Sequence, residues 1–183
     1  MRRNTALILD RDGVLIEDKD YSYKIVDLEI LPGVIEGLNL LKTKFLFFIV
    51  TNQSGIGQGF YTIDDFWIYN NHLISLLGKE GINIEKTFYC PHLKGDNCDC
   101  RKPKPKFLFD IRDNWNINLE LSWMIGDHPS DIEFGINGGC KTVYMSTGHG
   151  KKHFNELKKL KINPTFTSSN FFNAAKKILK TSC

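Results

Sequence analysis

Two aspartates separated by a single residue, in Asp10-Arg11-Asp12-Gly13, follow directly on the apolar run Ala6-Leu7-Ile8-Leu9. If extended backbone continues that far, both carboxylates project to one side and Arg11 turns away. Carboxylates that close repel unless a cation sits among them. A third, Asp127, stands in Gly126-Asp127-His128-Pro129-Ser130-Asp131, after a second apolar run. An incomplete cage of oxygen ligands suits Mg²⁺, which keeps several waters and takes phosphate oxygens as further ligands. The hydroxyl and amide donors of Thr51-Asn52-Gln53-Ser54-Gly55 suit an anion held beside that metal, and Arg101-Lys102-Pro103-Lys104 adds positive charge. Together these segments spell a metal-and-phosphate site, by the logic of named roles converging on one pocket.

Each motif alone has simpler readings. Asp-x-Asp-Gly is also a turn sequence. A calcium loop is excluded, because Val14, Leu15 and Tyr21 occupy the places of an oxygen ligand, a glycine and a glutamate. Gly55-Ile56-Gly57-Gln58-Gly59 lacks the third glycine of a dinucleotide fingerprint, Phe60 and Tyr61 standing around that place, and no P-loop lysine follows.

Cys90-Pro91-His92 and Cys98-Asp99-Cys100 form a second constellation, with five residues between His92 and Cys98. Three cysteines and one histidine make a closed tetrahedral zinc set, so zinc here would be structural, stiffening the loop that ends in Arg101 and Lys102. A disulfide within the trio is the alternative. Cys140 reads as a core residue and Cys183 as a tail thiol. His72, His149 and His153 read as surface or capping histidines. Lys151, Lys152, Lys158, Lys159 and Lys161, beside Phe154, Leu157 and Leu160, read as the solvated face of a helix.

The elements that must position these groups follow from periodicity. Ala6–Leu9 and Phe45–Val50 are continuous apolar runs too short for helices, and Thr87–Tyr89, Trp123–Ile125 and Thr142–Tyr144 are weaker strands. Between them, Pro32-Gly33 opens a helix with Val34, Leu38 and Leu41 on one face, and Thr62 opens another through Phe66, Leu73 and Leu77. Further helices are expected over 104–115 and 129–137, with Phe171, Ala175, Ile178 and Leu179 on a docked C-terminal one. Apolar strands alternating with helices predict an α/β domain, a doubly wound, Rossmann-like parallel sheet whose ligands gather at the strands' carboxyl ends. One domain over 1–183 is expected, with loop excursions at 13–31 and 90–103.

Composition narrows the class. Lys and Arg number 24 against 21 Asp and Glu, a net charge of +3 without a basic stripe, which disfavours nucleic acid or an anionic membrane as partner. The strongest apolar run spans six residues, far short of a membrane span, and the start of the chain, Met1-Arg2-Arg3-Asn4, does not read as a signal peptide. A cytoplasmic, monomeric protein acting on a small molecule is expected.

Leu9-Asp10-Arg11-Asp12-Gly13-Val14, Val50-Thr51-Asn52-Gln53-Ser54-Gly55, Cys100-Arg101-Lys102-Pro103 and Ile125-Gly126-Asp127 resemble, in order, the motifs of the haloacid dehalogenase-like (HAD) phosphatases. Within that superfamily the chain resembles the histidinol-phosphatase-related branch. The pairing of Thr-Asn-Gln-Ser-Gly with the cysteine loop is most similar to the heptose 1,7-bisphosphate 7-phosphatases of nucleotide-activated heptose biosynthesis. The resemblance implies Asp10 as nucleophile and Mg²⁺ ligand, and Asp12 as general acid and base that also ligates Mg²⁺ through its carbonyl. It implies Thr51 and Lys102 as stabilisers of the transferring phosphoryl group and Asp127 as the remaining Mg²⁺ ligand, with Asp131 supporting these ligands. Asp18, Lys19, Asp20, Tyr21, Asn52, Gln53, Ser54, Arg101 and His128 would line the substrate pocket. The chain departs from the family at Gln58, often arginine, at His128, often lysine, and at Lys19-Asp20, where a glycine usually precedes the tyrosine. These departures bear on substrate choice. Histidinol phosphate is the alternative substrate, a nucleic-acid end a weaker one, and a non-catalytic zinc-stabilised binding module the alternative of a different class. A sheet with its helices consumes the chain and leaves no room for a separate cap domain, so selection would fall to the two excursions.

Overall fold

The computed structural model describes residues 4–181; Met1–Arg3 and the tail thiol Cys183 lie outside them. Six parallel strands, β1 (Ala6–Leu9), β2 (Leu46–Asn52), β3 (Ile84–Cys90), β4 (Trp123–Gly126), β5 (Lys141–Met145) and β6 (Phe166–Ser168), form one sheet in the order β3-β2-β1-β4-β5-β6. The helices are α1 (Val34–Leu41), α2 (Ser54–Gly57), α3 (Ile63–Lys79), α4 (Lys106–Trp115), α5 (Pro129–Asn137), α6 (Gly150–Lys159) and α7 (Phe171–Thr181). Among the described residues no helix is long and apolar enough to cross a membrane.

Alternation along each strand divides the core between the two faces of the sheet. Leu7, Leu9, Phe47 and Ile49 pack with Val34, Leu38 and Leu41 of α1, Leu73 and Leu77 of α3, and Phe171 and Ile178 of α7. Ala6, Ile8, Phe48, Val50 and Met124 pack on the other face with Leu108 and Ile111 of α4 and Phe134 of α5. Cys140 joins that second cluster, as its core assignment anticipates, and burial pushes its thiol up to about 12.

Three features differ from the sequence expectation. β6 is an additional strand, only three residues long, paired with β5 through Val143 and Phe166. α2 forms over Ser54–Gly57, where no helix was expected. β2 begins one residue later than its apolar run and continues through Thr51 and Asn52, because β3 pairs with both.

The strand order reverses direction between β1 and β4, the topological switch point at which open α/β sheets bind ligands. The motifs after β1, β2 and β4 therefore open into one crevice.

Candidate active site

Asp10 remains in register after β1 ends, donating its backbone N–H to Ile125 O at 2.9 Å. Its side chain, with those of Asp127 after β4 and Asp131 in the first turn of α5, is buried, and one oxygen of each lies within 4.8 Å of the others. Lys102 reaches this cluster from the second excursion. Its Nζ donates to Asp10 Oδ1 at 2.5 Å, Asp131 Oδ1 at 2.7 Å and Val50 O at 2.8 Å.

Three buried carboxylates face one ammonium, so full ionisation would leave a deficit of two positive charges. The titration behaviour expresses that deficit. Burial raises the Asp10 pKa from 3.8 to about 7, with Lys102 opposing and Asp131 and Asp12 adding. Burial likewise raises Asp127 to about 9, with Asp10 and Asp131 adding and the backbone N–H of His149, 2.8 Å from Asp127 Oδ2, opposing. Burial disfavours the Lys102 ammonium too, but Asp10 and Asp131 outweigh it and hold its pKa above the ordinary lysine value.

Two glycines make room for this crowding. Gly13 has φ +78°, and a Cβ there would come within 2.2 Å of Asp127 Oδ2. A Cβ on Gly126 would lie 2.1 Å from Asp131 Cβ. Any other residue at either position displaces a carboxylate.

Asp12 faces the same crevice as Asp10, but extended backbone does not continue that far and Arg11 does not turn away. The chain turns at once after β1, with Leu15 N and Ile16 N both donating to Arg11 O. Arg11 is buried, with Cζ 5.3 Å from the Phe66 ring centre and 5.0 Å from that of Tyr69. Its Nη2 donates to Asp12 Oδ1 and to Gln53 Oε1, each at 3.1 Å. Gln53 Nε2 donates to Asp12 Oδ2 at 2.9 Å and to Thr51 Oγ1 at 2.7 Å, while Tyr61 donates to Gln53 Oε1 at 2.6 Å. Gln53 is thus a hub that fixes Asp12 and Thr51 relative to each other. Neither Arg11 nor Tyr61 carried a signal in the sequence, since their roles arise from tertiary contacts, Arg11 with Gln53, Phe66 and Tyr69 and Tyr61 with Gln53.

The crevice holds two adjoining cavities. One, of about 180 Å³, is lined by Asp10, Asp12, Thr51, Arg101, Lys102, Asp127, His128, Ser130 and Asp131. The other, of about 160 Å³, is lined by Asp20, Tyr21, Gln53, Ser54 and Tyr61. Asp12, Asp18 and Asn52 border both. Asn52 also exchanges hydrogen bonds with the Lys102 backbone, at 3.1 and 3.3 Å, which ties the second excursion to β2. Tyr21 accepts a bond from Gln58 Nε2 at 3.0 Å and meets Phe60 edge-on. Lys19 is the expected pocket residue that lines neither cavity: its ammonium lies 3.5 Å from Glu29 and 3.9 Å from Glu17.

Two histidines take on contacts beyond their sequence readings. His128 lines the first cavity, but its ring also caps α5, Nδ1 lying 3.2 Å from Ser130 N and 2.9 Å from Ser130 Oγ. Burial keeps its pKa below the ordinary 6.5. His149, read as surface or capping, stands at the N-cap position of α6 and also lines the first cavity, its ring nitrogens 3.4 Å from Asp18 and 3.6 Å from Asp20.

The cysteine loop leaves the end of β3. Cys90 Sγ lies 3.8 Å from Cys98 Sγ, 3.2 Å from Cys100 Sγ and 3.5 Å from His92 Nδ1, and His92 Nδ1 lies 3.2 Å from Cys100 Sγ. A disulfide requires about 2.05 Å, and the three cysteines are free. The edge of a tetrahedron with Zn–S bonds of 2.3 Å is about 3.8 Å, so the four donors already face one shared point. Burial and the Cys100 hydrogen bond push the Cys90 thiol up to about 12, a protonated state that a bound cation reverses. Arg101 Nη1 donates to His92 O at 2.9 Å, so the loop's fold sets the position of that guanidinium.

Comparison with known proteins agrees with this geometry. The HAD-hydrolase-like family model matches residues 99–174. The D-glycero-alpha-D-manno-heptose-1,7-bisphosphate 7-phosphatase of Campylobacter jejuni is 39% identical over 162 residues, covering 87% of this chain and 93% of that protein. The D-glycero-beta-D-manno-heptose-1,7-bisphosphate 7-phosphatase of Helicobacter pylori is 41% identical over 143 residues, 77% of this chain and 83% of that protein. Among solved structures, the D,D-heptose 1,7-bisphosphate phosphatase from B. bronchiseptica, complexed with magnesium and phosphate, superposes with a TM-score of 0.87 at 27% identity, covering 97% of this chain and 99% of that one. Identity at this level over most of both chains places the sequence: it is a phosphoric monoester hydrolase and belongs to the heptose-1,7-bisphosphate 7-phosphatase family of HAD-like hydrolases.

Proposed function

We propose that the chain removes the 7-phosphate of D-glycero-D-manno-heptose 1,7-bisphosphate through an aspartyl-phosphate on Asp10. The observation that carries the reading is the buried Asp10 carboxylate, held 2.5 Å from Lys102 beside Asp127 and Asp131. A carboxylate oxygen of Asp10 attacks phosphorus as the bond from phosphorus to the sugar oxygen breaks. Asp12 gives its proton to that departing oxygen, then takes one from the water that attacks the aspartyl-phosphate. The second attack breaks the bond between phosphorus and Asp10 and releases inorganic phosphate. Thr51 donates to a phosphoryl oxygen and the Lys102 ammonium, its three N–H groups engaged by Asp10, Asp131 and Val50 O, sets positive charge beside it, while Gln53 with Arg11 keeps Asp12 at its post.

The donor set fits Mg²⁺: buried, oxygen-only and short of positive charge. Asp10 and Asp127, with the Asp12 carbonyl, would hold it, and when bound it supplies positive charge to the phosphoryl oxygens. Cys90, His92, Cys98 and Cys100 fit structural Zn²⁺, which would brace the segment carrying Arg101 and Lys102. Asp18, Asp20, Tyr21, Asn52, Ser54 and Arg101 receive the rest of the substrate, with Asp12, Asp18 and Asn52 shared between the cavities. One domain without a cap suffices for this, and we read the enzyme as a cytoplasmic monomer.

Specificity constants measured side by side on the α- and β-anomers of heptose 1,7-bisphosphate and on histidinol phosphate test the assignment. A preference of tenfold or more for one heptose anomer over histidinol phosphate is expected. A preference for histidinol phosphate would transfer the assignment to that substrate.

A further inference from the structure

We propose that His128, His153 and Glu156 form a binding site for a divalent transition-metal ion of the Zn²⁺ or Ni²⁺ class, distinct from the acidic cluster and from the cysteine loop. One ligand atom from each of the three lies within 4.8 Å of the others. The His128 ring is held at Nδ1, 2.9 Å from Ser130 Oγ; when Nδ1–H donates to that hydroxyl instead of accepting from Ser130 N, Nε2 has its lone pair free for an ion. His153 sits across from it in α6, ring centres 4.5 Å apart at 62°. Three residues along the same helix, and hence on the same face, Glu156 Oε2 lies 2.8 Å from His153 Nδ1.

Tetrahedral ligands at 2.0–2.1 Å stand about 3.3 Å apart, so the remaining contraction is within reach of side-chain rotation. His153 and Glu156 have that freedom, with 23% and 47% of their side-chain surface exposed. Two imidazoles and a carboxylate select Zn²⁺, Ni²⁺ or Cu²⁺ over Mg²⁺, and three protein ligands leave a position open. The ion would join α6 to the turn between β4 and α5 and add positive charge to the wall that His128 and Ser130 give the first cavity. Among the described residues, the apolar contact behind it is the small cluster of Ile132, Tyr144 and Leu157, so a metal cross-link would contribute materially to the docking of α6.

The test is Ni²⁺ binding by untagged protein with its cysteine loop zinc-loaded and Mg²⁺ saturating, followed by calorimetry. Wild type is expected to take up one Ni²⁺ per chain. His153→Gln and Glu156→Gln should each weaken that binding at least tenfold, and His72→Gln should not. Circular dichroism checks the fold of each variant, and Mg²⁺-supported phosphate release by His153→Gln should match wild type. Co²⁺ provides a second reading, with visible bands of nitrogen and oxygen ligation and no thiolate charge transfer. Equal Ni²⁺ binding by wild type, His153→Gln and Glu156→Gln, no Ni²⁺ uptake by wild type, or Co²⁺ bound only with thiolate bands would each overturn the proposal.

Discussion

Replacing Lys102 by Met keeps the length of the side chain and deletes its charge. Nζ now lies 2.5 Å from Asp10, 2.7 Å from Asp131 and 2.8 Å from Val50 O, in a site where Lys102 is 3% exposed. Breaking a buried ion pair by removing one partner costs about 3–5 kcal/mol, because the carboxylates left behind are uncompensated. At roughly 2–4 °C per kcal/mol for a chain of this size, the lower end lowers Tm by about 6–12 °C. Asp10, already raised to about 7, rises further and takes up a proton, which relieves part of that cost and silences the nucleophile. Removing the positive charge proposed to stabilise the phosphoryl group should lower kcat by roughly 10²–10³-fold. The assay is therefore paired: thermal unfolding of Lys102→Met and of Lys102→Met with Asp131→Asn, and steady-state phosphate release in saturating Mg²⁺. The second change removes one orphaned carboxylate and should return part of the lost stability. A Tm within 2 °C of wild type, or a kcat within about tenfold, would refute the reasoning that Lys102 balances this cluster.

Three further outcomes follow from the same geometry. Between pH 3.8 and about 7 the folded chain keeps a proton on Asp10 that the unfolded chain has released, so without Mg²⁺ stability falls as pH rises through that window, and Asp127 extends the fall to about 9. Thermal unfolding should consequently show a larger stabilisation by added Mg²⁺ at pH 8 than at pH 5; an equal effect would contradict it. Metal analysis of protein purified without added zinc should find one Zn²⁺ per chain, and its removal by a chelator should expose three reactive thiols among Cys90, Cys98 and Cys100 and weaken phosphate release by displacing Arg101. Gly13→Ala should abolish activity while leaving the sheet folded, because its Cβ would meet Asp127 Oδ2 at 2.2 Å from a backbone at φ +78°; near-wild-type turnover would show that this carboxylate is free to move.

The sequence announced most of what lies at the sheet's carboxyl edge, because in a parallel sheet the residue after each strand is where polar chemistry must stand. Asp10, Asp12, Thr51 and Asp127 were legible for that reason. Lys102 was legible as charge, but its insertion between Asp10 and Asp131 was not, since nothing local links residues so far apart. Arg11 defeated the alternation rule because the chain turns immediately after β1, folding the guanidinium back between Phe66, Tyr69 and Asp12. β6 escaped because Phe166-Thr167-Ser168 is too short to show a period, and pairing with β5 supplies what the local pattern lacks. His149 acquired its place through a backbone bond to Asp127 and side-chain contacts with Asp18 and Asp20, all of them tertiary.

Asp10→Asn keeps the shape of the side chain and turns its nucleophilic carboxylate into an amide. With heptose 1,7-bisphosphate and Mg²⁺, the account predicts that phosphate release by this variant falls to background while its circular dichroism spectrum and its zinc content match wild type. Phosphate release that survives intact in folded Asp10→Asn would contradict it.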